Sequence, residues 1–115
     1  MHEMSYVVRF VNQAIESVKN EQAGRVSRLF VSVGEMTDVL PEYLHKYYTS
    51  AVEGTILEGS TLEVEMVPVR VQCAGCGQEY HPDREHKYLC PFCSDGNGKV
   101  IAGRDVVLEK IEIVS

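Results

Sequence analysis

The chain has 115 residues, a formal net charge of −6, 44% hydrophobic and 24% charged residues, and no tryptophan. This is the size and make-up of one globular domain with a small appendage, not of a disordered or fibrous chain. The acidic balance lacks the basic footprint of a nucleic-acid binder, no apolar run nears the roughly 18 residues of a membrane span, and no basic start leads into an apolar stretch, so no secretory signal is expected. The expected compartment is the cytoplasm, where paired cysteines point to metal rather than to disulfides.

The chain opens MHEMS, with a histidine second. Met4, Val7, Val8, Val11, Ala14, Ile15 and Val18 then recur at threes and fours, which predicts an amphipathic helix of about four turns. Glu3 or Ser5 stands where a cap is useful, and Ala23-Gly24 is expected to end the helix. From Val26 to Val33, Leu29, Val31 and Val33 alternate with Arg28, Phe30 and Ser32, the pattern of a strand. Gly34-Glu35 follows, either as a strand-end turn with an exposed carboxylate or as a face supporting the leader and its partners.

Asp38 to Pro41 marks a second helix start, with proline near its first turn. Leu44, Tyr47, Tyr48, Ala51 and Val52 form its apolar stripe, Tyr43 is expected in or half in the core with Tyr47 and Tyr48, and Gly54 closes it. Leu62, Val64 and Met66 alternate as a strand, but beyond Pro68 the apolar set becomes Val67, Val69 and Val71. Such a slip moves side chains to the opposite face, so an edge, a bulge or a crossing of the chain is expected at Pro68. Val106 to Val114 reads as a last strand with Val107, Ile111 and Ile113 facing in.

The order helix, strand, helix, strand, insert, strand predicts an α+β fold: a small two-layer domain of two helices on a three-stranded mixed sheet, with a zinc-ribbon-like insert. The expected division is residues 1–72 with 104–115 as one unit and residues 73–103 as the other.

Cys73, Cys76, Cys90 and Cys93 are spaced C-x2-C-x13-C-x2-C. Each short pair forms a knuckle that aims two sulfurs at one ion, and the loop between lets the knuckles face each other. Four thiolates suit tetrahedral zinc in a closed structural site, with rubredoxin-style iron as the rival. Gly75 and Gly77 are expected to serve the knuckle's turn. The insert has too few apolar residues to fold alone, so the metal should supply its folding energy. His81 and His86 lie in the loop, either as exposed histidines or with one of them approaching the metal.

The leader has its own chemistry. The terminal amine, the His2 imidazole and the deprotonated backbone nitrogens of His2 and Glu3 can lie in one plane, a donor set that favours Ni(II) or Cu(II). Taken alone, a second-position histidine is weak evidence, and His2 reads first as an incidental residue before a helix.

The leader MHEMS, the stretch VGEMTDVLPEYL, the knuckles CAGCG and CPFC and the closing GRDVVLEKIEIV occur in an order that resembles the HypA/HybF family, nickel metallochaperones of [NiFe]-hydrogenase maturation. The resemblance spans essentially the whole chain. It implies His2 as the essential nickel ligand, Met1 as the donor of its amine, and His2 and Glu3 as donors of backbone nitrogens, with the Glu3 side chain nearby. It implies structural Zn(2+) on the four cysteines and Ni(2+) as cargo. It also implies a hydrogenase-maturation GTPase and the [NiFe]-hydrogenase large subunit as partners, with urease accessory proteins served by some members. Tyr6 stands where the family often has an aliphatic residue, which touches no ligand. On this reading the chain is not an enzyme and binds neither nucleic acid nor membrane. The rival class is a zinc-ribbon module that binds protein or nucleic acid. The loop sets Arg84 and Lys87 against Glu79, Asp83 and Glu85, an acidic balance that does not favour nucleic acid.

Overall fold

A computed structural model of the chain describes residues 3–19 and 25–114. Helix α1 runs from Glu3 to Val18 and strand β1 from Arg25 to Gly34; a one-turn helix at Glu35–Thr37 leads to helix α2, Pro41–Ala51. Strands β2 (Thr61–Val67), β3 (Arg70–Cys73), β4 (Glu79–Tyr80), β5 (Gly98–Ala102) and β6 (Val106–Val114) follow. The expected end of the first helix at Ala23-Gly24 falls outside the described residues, and α1 itself stops at Val18.

Two three-stranded sheets result, in the orders β2-β1-β6 and β4-β3-β5. The first is mixed, as expected: β1 pairs parallel with β2, through the α2 crossover, and antiparallel with β6. Leu29, Val31 and Val33 of β1, Leu62 of β2 and Val106 of β6 bury one face beneath α1 and α2. The phase slip at Pro68 is a crossing: β2 ends at Val67 in one sheet, and β3 begins at Arg70 in the other.

Some expected core positions are corrected. On α1 the buried stripe is Val7, Phe10, Val11, Ala14 and Val18, whereas Met4 and Val8 are exposed. Val8 stands about 100° round the helix from Val7, too far to reach a sheet that takes Phe10 on the other side. Tyr43 is likewise exposed, while Tyr48 is buried and stacks at 6.2 Å on Phe10. In β6, Val107 faces out and is exposed, and Ile113, which pairs with Val26, is exposed near the end of the strand. The register pairs Val31 with Leu108 but Phe30 with Lys110, so Glu109 is an extra residue in a bulge. The bulge reverses the alternation. Before it the inward residues are Val106 and Leu108; beyond it Ile111 takes that side.

The second sheet carries a small core of its own: Val69, Val71, Cys73, Tyr80 and Cys90, with Val100 against it.

Candidate metal centre

The four cysteines meet. Their Sγ atoms all lie within 4.8 Å of one another, with Cys73 and Cys93 at 3.4 Å and Cys76 and Cys90 at 3.7 Å. A tetrahedral zinc with bonds near 2.3 Å sets its sulfurs about 3.8 Å apart, so the cluster fits such an ion. No pair is a disulfide. Cys73 and Cys90, the first of each knuckle, are buried; Cys76 and Cys93 are exposed.

The knuckles are built alike, for a backbone reason. Gly77 N donates to Cys73 O at 3.0 Å, and Ser94 N to Cys90 O at 2.8 Å. Cys73 N donates to Gln78 O at 2.9 Å, and Cys90 N to Asp95 O at 3.0 Å. The residue after each second cysteine has positive φ, +76° at Gly77 and +63° at Ser94, which turns the chain back over the pair. Glycine suits that conformation and serine only tolerates it. Gly77 thus meets its expected role, but Gly75 has no positive φ; a Cβ there would lie 2.6 Å from Asp95 Oδ2, the end of a side chain that can turn aside.

Backbone N–H groups face the sulfurs. Gly75 N donates to Cys73 Sγ at 3.3 Å. The Cys73 thiol is drawn down to about 7, first by the backbone N–H of Cys76. At Cys93 the backbone N–H of Asp95 also acts downward, but the crowding of Cys73, burial, and Cys76 and Cys90 push that thiol up to about 12. Four sulfurs this close cannot all carry charge alone, and a divalent cation removes the conflict.

Neither loop histidine belongs to this cluster. His86 Nδ1 lies 2.8 Å from Asp83 Oδ1, which also accepts the His86 backbone N–H. His81 Nε2 lies 2.8 Å from Glu35 Oε1. Glu35 sits in the turn after β1 with its carboxylate half exposed, as expected, but that same oxygen also accepts the Val69 N–H at 2.8 Å; Met1 and His2 of the leader in the other reading lie outside the described residues. Glu35 grips the second sheet. Forty-six positions separate Glu35 from His81, and no local pattern announces the pair.

Of the expected leader ligands, Met1 and His2 lie outside the described residues. Glu3 opens α1, and its Oε2 is shielded from solvent with no hydrogen-bond partner among the described residues. Two surface grooves, one of 870 Å³ between α1 and β6 and one of 540 Å³ on the helix-free face of the first sheet, are lined by none of the cysteines.

Comparison with known proteins brings these features together. The family model described as "Hydrogenase/urease nickel incorporation, metallochaperone, hypA" matches residues 1–113. The chain is 33% identical over 115 residues to the hydrogenase maturation factor HypA of Synechococcus sp. (strain JA-2-3B'a(2-13)), covering 98% of this chain and 86% of that one. It is 30% identical over 113 residues to HypA of Aquifex aeolicus, covering 98% and 97%. The solution structure of the Ni metallochaperone HypA from Helicobacter pylori shares the fold, with a TM-score of 0.75 at 22% identity over 100% of this chain and 99% of that one. No helix of the described residues is long and apolar enough to cross a membrane. The chain belongs to the HypA family, the metallochaperones of hydrogenase and urease nickel incorporation.

Proposed function

We propose that this chain carries Ni(II) at its amino terminus and delivers it to the [NiFe]-hydrogenase large subunit with the help of a hydrogenase-maturation GTPase, in the cytoplasm. Urease is a second client class. The observation that carries the reading is the family match over residues 1–113, which takes in the leader Met1-His2-Glu3. The ligands are the Met1 amine, the His2 imidazole and the backbone nitrogens of His2 and Glu3, with the Glu3 carboxylate adding negative charge nearby. Planar nitrogen donors select Ni(II) or Cu(II) over zinc. The amine and the amides must lose protons to bind, so the metal is held more weakly as pH falls. The work is ligand exchange with a client rather than catalysis.

Residues 1–72 with 104–115 are the proposed nickel-binding unit and residues 73–103 the zinc-binding unit, with Val69 and strand β3 from Arg70 packing on the zinc-binding side of that division. Cys73, Cys76, Cys90 and Cys93 hold zinc, which supplies cross-linking and charge balance to the ribbon and no reactive position.

The test is a Ni(II) titration at pH 7.5 of untagged protein with a true Met1 terminus, beside His2→Ala, with tightly held zinc counted in both. About one nickel in the parent, none in the variant and one zinc in each is the expected result. Equal nickel binding by the two proteins would remove the leader from the site. An absorption spectrum separates colourless zinc from coloured ferric tetrathiolate.

A further inference from the structure

The two apolar clusters share no residue. One lies between the first sheet and the helices, hereafter the body; the other belongs to the cysteine-bearing sheet, hereafter the ribbon. The radius of gyration is 17.6 Å and the extents are 53 × 25 × 16 Å, against roughly 13 Å expected for a compact chain of this length. The backbone passes between the two units twice, between Val67 and Arg70 and between Ala102 and Val106. With separate cores and two covalent crossings, the angle between the units depends on the polar contacts that span the joint.

Most of the joint belongs to the body. Gly34 N donates to Asp105 O at 2.8 Å and Met36 N to Gly103 O at 2.9 Å. A Cβ on Gly34 would lie 2.3 Å from the Gly103 carbonyl, and one on Gly103 would lie 2.6 Å from Pro68 O. Gly103 and Pro68 are therefore pressed against the end of β1. Across this line reaches Glu35. Its Oε1 accepts the N–H of Val69, a ribbon core residue, and meets Nε2 of His81, which directly follows β4. The contacts hold the ribbon at two separate points. The turn bearing Glu35 is itself fixed, because Thr37 Oγ1 donates to Gly34 O and accepts Val39 N–H. Nearby charges are engaged elsewhere: Arg70 with Glu79, Asp105 with Arg9, and Asp83 with His86.

We propose that Glu35 is a positioning residue, a latch by which the body sets the orientation of the metal-bearing ribbon through Val69 and His81. It belongs to neither apolar cluster, so its substitution removes no core contact. The proposal does not depend on where nickel binds. A carboxylate serves here because one oxygen must accept two N–H groups at once, which an amide oxygen also does and a methyl group does not.

The experiment uses residual dipolar couplings from backbone amides of the zinc-loaded full chain. In the parent, body and ribbon amides fit one alignment tensor. In Glu35→Ala they need two, with the ribbon's reduced, because losing an exposed pair of this kind shifts a two-state population by up to about fivefold. Glu35→Gln keeps the accepting oxygen and restores a single tensor. A single tensor in Glu35→Ala, equal in magnitude to the parent's, overturns the latch. Zinc content and the amide shifts of β1 and β3 report whether both units remain folded. If Glu35→Ala loses either unit, His81→Ala removes the ribbon-side partner alone and carries the same test with the same two outcomes.

Discussion

Arg9 Nη2 lies 3.0 Å from Asp105 Oδ1 and donates to Val106 O at 2.6 Å, fastening α1 to the start of β6. The guanidinium also lies over the Tyr6 ring, 5.2 Å from its centroid. Asp105 titrates below the ordinary aspartate range, first because of the Arg9 hydrogen bond. Both side chains of the pair are about half exposed, so solvent screening holds the ion pair to less than about 1 kcal/mol. The bond to the carbonyl adds a contribution of about 1 kcal/mol. Arg9→Ala should therefore lower stability by about 1–2 kcal/mol in urea unfolding and return Asp105 toward its usual value in a carboxyl NMR titration. If neither quantity moves, Arg9 does not fasten the helix.

Gly34 and Gly54 should respond very differently to alanine. Gly34 has φ −72°, which alanine adopts freely, but its Cβ would meet Gly103 C and O at 2.3 Å and Arg104 N at 2.7 Å. These are backbone atoms and cannot rotate away, so Gly34→Ala should cost about 3 kcal/mol, the upper end for overpacking. Gly54 has φ +75° with nothing within 4 Å of a Cβ, so Gly54→Ala should cost only about 1 kcal/mol of conformational strain. Denaturant midpoints of the two variants check the order; a reversed order would contradict the close approach at the joint.

Chelation should unfold one part of the molecule. The ribbon core counts five buried residues, two of them metal-cluster cysteines, whereas the body cluster stands without any cysteine. A strong chelator at neutral pH should collapse the amide dispersion of residues 70–102 while β1, β2 and β6 keep their shifts and exchange protection. Persistence of the ribbon's dispersion after complete metal removal would show that its folding does not rest on the ion.

Acid should weaken the Glu35 contacts with a defined sign. Its carboxyl is held below the ordinary glutamate range, first by the Val69 N–H and then by His81. A depressed folded-state pKa stabilises the protein above the unfolded value of about 4.3, and this contribution is lost as pH falls through the lower folded value. A carboxyl carbon titration should show Glu35 protonating below the exposed glutamates, and Val69 N–H exchange should rise over the same interval. A Glu35 midpoint at or above that of the exposed glutamates would exclude the paired geometry. His81 is a donor to Glu35 when protonated, and when neutral as the Nε2–H tautomer, so the contact persists through neutral pH.

Much of this molecule is readable in local spacing. The x2 pairs at Cys73/Cys76 and Cys90/Cys93 meet as expected, because a knuckle is closed by bonds within a few residues, such as Gly77 N to Cys73 O. The threes and fours of α1 and the alternation of β1 are likewise local, and the mixed sheet follows from the order of elements. The expectation failed where a partner strand intervened. Val107 faces out because the bulge at Glu109 changes the phase of β6 against β1, so Val107 and Ile111 cannot share a face, and a single strand's alternation carries no record of its neighbour's register.

Glu35 shows the same limit at the joint. As a residue after a strand, it reads as a turn carboxylate; only the tertiary structure brings it to Val69 and to His81, 46 positions away. Arg9 and Asp105 are 96 positions apart, and the Gly34–Gly103 approach has no signal in either neighbourhood. Local patterning was enough for the two helices, the strands β1, β2 and β6, the metal knuckles and the family, whereas the short strands β4 and β5 carried no signal of their own. Which residues face the core of β6, and which carboxylate grips the ribbon, was decided by long-range register and by two backbones packed too closely for any side chain between them.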